Sequence, residues 1–208
     1  MFKDAIGYPS RGEDLGRRYL IGVLLTLGSI FLIPAFILLG YFTKVMNRTL
    51  KGEQELPKFE YYTGLFIDGI KLTGVMFTYF LVSLLPIWVV DSIGLTGSLE
   101  AATGFFSLVF LLVVIYSMPS AFASFAREGV FKDAFRLREV GENAFTTKYF
   151  LGILTIIGTS ILISLVQIAT LIVLAVTLIG IPAIIAVLPA MRFYENIVYF
   201  RMMAKMTE

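Results

Sequence analysis

Between Tyr149 and Met191 the chain runs for 43 residues without a single Asp, Glu, Lys or Arg. Crossing a hydrocarbon core takes roughly 20 apolar helical residues, so this one stretch is long enough to cross twice. Phe105 to Ala126 is a second uncharged run, and 58% of the whole chain is hydrophobic, against about 45–50% in soluble domains. The runs are apolar on every side rather than at alternate positions, which excludes a membrane β-barrel. The expected fold class is therefore all-α. It is a polytopic helical membrane protein of about four full spans plus a short N-terminal re-entrant or kinked hairpin, with interfacial amphipathic helices. Residues 1–208 are read as a single integral membrane domain.

The 17 Lys and Arg avoid one loop. Lys3, Arg11, Arg17 and Arg18 precede the first apolar run, and Lys44, Arg48, Lys51, Lys58 and Lys71 follow it. The link 91–100 between the second run (70–90) and the third (101–126) carries Asp91 and Glu100 but no base. Short basic loops stay in the cytoplasm, so 91–100 is expected outside and both termini inside, in a cell membrane. That orientation strands four N-terminal bases if residues 19–43 cross once, and keeps them inside if the chain turns back at Pro34. The turned form has legs 15–33 and 34–48, with Pro34 opening the second, where its missing N–H costs nothing. A proline kink in one tilted span is the alternative.

A weak internal repeat, 17–48 and 147–196, points to one hairpin built twice. Arg18-Tyr19-x-x-Gly22 returns as Lys148-Tyr149-x-x-Gly152, and Ile33-Pro34-Ala35 returns as Ile181-Pro182-Ala183. Three stretches should lie at the headgroups. Residues 1–8 are short and amphipathic. Lys51 to Pro57 breaks a helix before an aromatic belt of Phe59, Tyr61 and Tyr62. Residues 128–140 read as one amphipathic helix, with Val130, Phe131, Ala134, Phe135 and Val140 on its apolar face and Glu128 paired to Lys132.

Polar groups within a bilayer are costly and mark candidate sites. Gln167 is the strongly polar side chain of the long apolar run, and reads as a bond to a neighbouring helix or as the lining of a solute path. Asp68 and Lys71 read as an i,i+3 ion pair at the interface. Ser117, Ser120 and Ser124 share a face beside Pro119, whose ring frees the carbonyl of Ile115. They serve close helix packing, or face water in a pore. Glu195 is expected at the cytoplasmic end of the last helix, and Pro34 and Pro182 are the hinge positions.

The absences bear on activity. With no Cys and no His, thiolate chemistry, His-based nucleophilic catalysis and His- or Cys-held metals cannot be built. The acids Asp68, Asp91, Glu100 and Glu195 do not cluster in sequence as a hard metal requires. No enzyme activity, no cofactor, no metal and no cleavable leader are expected. The net charge of +2 gives no reason to expect nucleic acid. Expected partners are membrane lipids, and a second copy of the chain or another membrane protein. A non-catalytic packing, scaffold or lipid-organising role is the first reading, and a small-solute or ion channel or transporter the alternative.

The motifs Tyr8-Pro9-x-Arg11-Gly12-Glu13-Asp14, Leu39-Gly40-Tyr41, Arg48, Gly52, Leu56-Pro57-x-Phe59 and Phe66-x-Asp68-Gly69-x-Lys71 resemble those of the archaeal membrane proteins grouped as domain-of-unknown-function family 4013. The resemblance implies one membrane domain in an archaeal cell membrane and assigns no catalytic or binding residue. Read from the residues alone, Asp14 or Ser10 can cap the first helix and Gly40 permits close helix approach.

Overall fold

The computed structural model describes residues 1–94, 98–177 and 180–208; part of the expected outer loop 91–100, at 95–97, lies outside the described residues. Every described element is helical: α1 Phe2–Gly7, α2 Leu15–Leu27, α3 Leu32–Leu50, α4 Tyr62–Ile93, α5 Ser98–Glu128, α6 Leu137–Ala144, α7 Thr147–Val176 and α8 Gly180–Met206, with short 3-10 turns at Tyr8–Ser10, Gly28–Ile30 and Phe131–Phe135. Four of them, α4, α5, α7 and α8, are long and apolar enough to cross a membrane. The chain is a multi-pass helical membrane protein on that basis.

α2 and α3 form a hairpin. The extended Phe31 (φ −91°, ψ 141°) breaks the helix, so Pro34 is the third residue of α3 rather than the first residue of the second leg. It still lies in the first turn, where a proline removes no helical bond. The two ends of the hairpin are tied together: the Leu56 N–H donates to the Arg11 carbonyl at 3.2 Å, and the Tyr8 hydroxyl to the Glu55 carbonyl at 2.8 Å. Arg18, buried at the foot of α2, donates to the Leu56 carbonyl.

α3 packs antiparallel on α4 through two reciprocal glycines. A methyl group on Gly40 would overlap the Leu65 carbonyl, and one on Gly69 would overlap the Phe36 carbonyl. Small residues let membrane helices meet at backbone distance, where dispersion and Cα–H···O contacts replace the missing hydrophobic drive. The pairs 40/65 and 36/69 fix the register and set the hairpin tip, residue 30, level with residue 75. Eighteen residues of α4 then continue past the tip, about 27 Å at 1.5 Å each.

Several ties between helix ends fall on one face. Asn47 of α3 donates to the Ala126 carbonyl of α5 at 2.6 Å, Arg127 to the Thr207 carbonyl at 2.9 Å, and Gly152 of α7 abuts Met206 of α8. The starts of α2, α4 and α7 and the ends of α3, α5 and α8 thus share a basic face. The opposite end carries Asp91 and Glu100 and no base.

The interfacial segments differ from the sequence reading in three places. Residues 128–140 are not one helix: Gly129, at φ 70°, ends α5, a 3-10 turn follows, and α6 begins only at Leu137. The Glu128–Lys132 pair consequently does not form among the described residues, and Asp133 is buried against Arg136 at 2.9 Å. Phe59 belongs to the core rather than the belt, stacked on Tyr41 at 3.9 Å between centroids, while Tyr61 and Tyr62 remain exposed. Asp14 stands at the cap position of α2 but its side chain makes no capping bond. Of the two halves of the internal repeat, Gly22 and Gly152 both press on α8, at Phe193 and Met206, and Pro34 and Pro182 are each the third residue of their helix.

Candidate functional site

A buried polar group joins α7 to α8. Gln167 donates through Nε2 to Glu195 Oε2 at 2.8 Å, Arg192 donates to the same oxygen at 2.9 Å, and the Tyr199 hydroxyl donates to Oε1 at 2.7 Å. Gln167 and Glu195 are both buried. Glu195 is therefore not at the end of the last helix. It lies eleven residues before Met206, and the reason is the pairing itself: three donors offset the cost of sinking a carboxylate. These donors occupy three of the roughly four acceptor positions of the Glu195 carboxylate.

Beside this knot runs an apolar groove between α7 and α8 of about 500 Å³, within the roughly 300–1,000 Å³ range of ligand pockets. Leu162, Ile163 and Val166 form one wall and Val187, Ala190 and Met191 the other. Ile6 of α1 closes it toward the basic face, where the Tyr194 hydroxyl donates to the Ile6 carbonyl at 2.9 Å.

The serine face of α5 packs against protein. Ser120 is fully buried and donates to the Val140 carbonyl of α6 at 3.2 Å. Ser124 is buried beside it, and Ser117 donates to the Val114 carbonyl of its own helix at 2.9 Å. At the proline, the Tyr149 hydroxyl reaches the Tyr116 carbonyl at 2.6 Å, next to the Ile115 carbonyl that Pro119 releases.

Asp68 and Lys71 form their i,i+3 pair at 3.8 Å, and Lys71 also donates to the Gly129 carbonyl at 3.2 Å. They line a polar cavity of about 440 Å³ with Lys44, Asn47, Lys51 and Arg127. Tyr61 stands at its edge in the left-handed region, at φ 57°, a conformation that costs a non-glycine residue roughly 1–3 kcal/mol. Pro182 is exposed near the start of α8. The candidates thus gather as a knot (Gln167, Glu195), a packed face (Ser117, Pro119, Ser120, Ser124) and an interfacial pair (Asp68, Lys71).

One centre escaped sequence reading. Arg201 is fully buried, donating to Asp4 at 3.0 Å, Thr49 at 3.2 Å, the Glu53 carbonyl at 3.2 Å and Gln54 at 2.9 Å. Its guanidinium lies 3.8 Å over the Tyr8 ring. Asp4 also takes Arg11 at 2.7 Å and Lys205 at 2.8 Å. Burial alone would raise the Asp4 carboxyl, but the bonds from Lys205, Arg11 and Arg201 hold it well below the usual carboxylate range. Burial pushes the Tyr8 hydroxyl up. Partners 197 residues apart leave no local pattern to find; the only signal was Arg201 and Lys205 one turn apart near the end of α8.

Among the described residues no three acidic side chains gather to hold a metal ion. Fold and site define a helical multi-pass membrane protein with a buried polar knot between α7 and α8. The model of a family described as a protein of unknown function, DUF4013, matches residues 27–188, and the chain belongs to that family. No curated protein and no solved structure matches it. The matched span holds the serine face, Gln167 and the Gly40–Gly69 crossing, while Glu195 and both ends of the Asp4–Arg201 clasp lie beyond it.

Proposed function

We propose that this is a non-catalytic membrane protein that organises lipid at the cytoplasmic leaflet. The observation that carries the reading is the depth of the α2–α3 hairpin. Its tip, with Ile30, Phe31, Leu32 and Ile33 all exposed, stops level with residue 75, about 27 Å short of the far end of α4. A re-entrant hairpin of this depth occupies one leaflet and displaces lipid there. The bases surround its feet, where each attracts anionic headgroups by about 1 kcal/mol. The basic face is cytoplasmic in this reading, by the positive-inside rule. Packing rather than conduction is supported by Ser120 and Gln167, each spent on a partner within the bundle.

Lipid segregation tests it. In vesicles of mixed phosphatidylglycerol and phosphatidylcholine, energy transfer from a dye on a single cysteine at Ser10, on the basic face, to labelled lipid should report anionic enrichment around the protein that fades between 0.1 and about 1 M salt, as the Debye length shrinks from about 10 to 3 Å. Equal transfer to both lipids, or flux of ions that falls with Gln167→Leu, would replace this reading with the channel alternative.

A further inference from the structure

At the foot of α2 stands a buried cation without a counter-ion. Arg18 is 4% exposed, and its Nη1 is taken by the Leu56 carbonyl. Its Nε is buried with no acceptor, and Nη2 makes no hydrogen bond among the described residues. Arg18 pairs with no carboxylate among them either. Nε and Nη2 form the side-on edge of a guanidinium, the edge that grips an oxyanion with two parallel bonds. Burying such a group without a partner is expensive, and proteins normally supply an anion.

The surroundings fit one. A cavity of about 120 Å³ opens against Arg18, lined also by Arg17, Lys58, Ile21, Asp14 and Glu60. It is far below the roughly 300 Å³ that the smallest drug-sized ligands occupy, and suits a single tetrahedral oxyanion. The first turn of α2 adds main-chain donors: the N–H groups of Leu15, Gly16 and Arg17 lack helical partners, and the Asp14 side chain does not cap them. No side chain crowds Gly16. Three bases against two acids leave the site net positive.

We infer that Arg18, with Arg17, Lys58 and the start of α2, binds a phosphate group. The inference deepens the lipid-organising reading and rests on it for the membrane setting, since the foot of the hairpin lies at headgroup level. A lipid headgroup and free phosphate present the same chemistry to Arg18. Asp14 and Glu60 oppose the anion and set an upper limit on its affinity.

Thermal unfolding tests the site with two probes. The first is inorganic phosphate against chloride at equal ionic strength, on the detergent-solubilised chain. The second is phosphatidylglycerol against phosphate-free glycolipid, in nanodiscs. Phosphate should raise the unfolding temperature. Arg17→Ala and Lys58→Ala, both outside the core, should each weaken the half-saturating concentration by about three- to tenfold, and Glu60→Gln should strengthen it by a similar factor. Arg18→Lys keeps the charge but loses the two-donor edge, and should weaken binding by more than about tenfold. If Arg18→Lys does not fold, the three surface variants decide. Stabilisation by phosphatidylglycerol that inorganic phosphate cannot add to identifies a lipid headgroup. Equal phosphate binding in both nanodiscs identifies free phosphate, in which case the site stands and the lipid-organising reading loses it. A wild-type chain indifferent to both probes, or variants that respond as wild type does, would overturn the inference.

Discussion

Asp4 carries three cations on one carboxylate and holds the first helix to the last. Its carboxyl titrates below the unfolded value of about 3.9, so the folded state binds fewer protons as acid is added. The contribution is therefore complete above about pH 4 and is lost as pH falls through and below that value. Asp4→Asn should cost about 2 kcal/mol at pH 7, less than the 3–5 of a fully buried pair because Asp4 is partly exposed. The variant should also flatten the acid limb of an unfolding-temperature profile measured from pH 3 to 7. Gln167 is the second residue whose weight the structure changes. A generic bond between membrane helices contributes about 0.6 kcal/mol, but this acceptor is a carboxylate, for which about 1.5–3 is usual. Gln167→Leu should lower thermal stability accordingly, while Ser117→Ala, which loses only a bond within its own turn, should change it little. Gln167 itself was legible because an amide in an apolar run has few uses. Its partner was placed at the end of the last helix because Glu195 follows Arg192, whereas α8 runs on to Met206.

Helix crossings decide what the elements tolerate. At Gly40 and Gly69 the facing atoms are backbone carbonyls, which cannot rotate away, so Gly40→Ala or Gly69→Ala should separate α3 from α4 and destabilise by at least the 1–3 kcal/mol typical of overpacking. Gly158→Ala meets nothing within 4 Å and should gain about 0.5–1 kcal/mol from helix propensity. Thermal unfolding of the three variants separates crowding from propensity. On α5, Ser120→Ala should be mild and Ser120→Leu severe, since the hydroxyl sits against α6 and not against open space. The length and type of these elements followed from apolar runs and breakers, as at Leu50-Lys51-Gly52. Where the chain lies flat the pattern misled: apolar spacing over 128–140 fits one helix, but Gly129 in a left-handed conformation divides it. Phe59 looked like a belt residue because its burial depends on Tyr41, eighteen residues away in α3.

On the scale of the whole molecule, four spans were legible from uncharged length and the basic face from the distribution of Lys and Arg. The reversal of the first segment rested in sequence on the placement of its bases alone, because twenty-five residues suffice either for one crossing or for a shallow turn. What resolves its shape is non-local: Arg11 meeting Leu56, and Gly40 meeting Leu65. The central claim is that this hairpin enters and leaves by the cytoplasmic face. The chain contains no cysteine, so single cysteines at Ser10, Phe31 and Glu100 give an unambiguous reading with an impermeant thiol reagent on intact cells, combined with the depth of a nitroxide at Phe31 in vesicles. Labelling at position 100 alone, with the nitroxide buried in the hydrocarbon of the inner leaflet, is the predicted result. Labelling at position 10 or 31 from outside would contradict it.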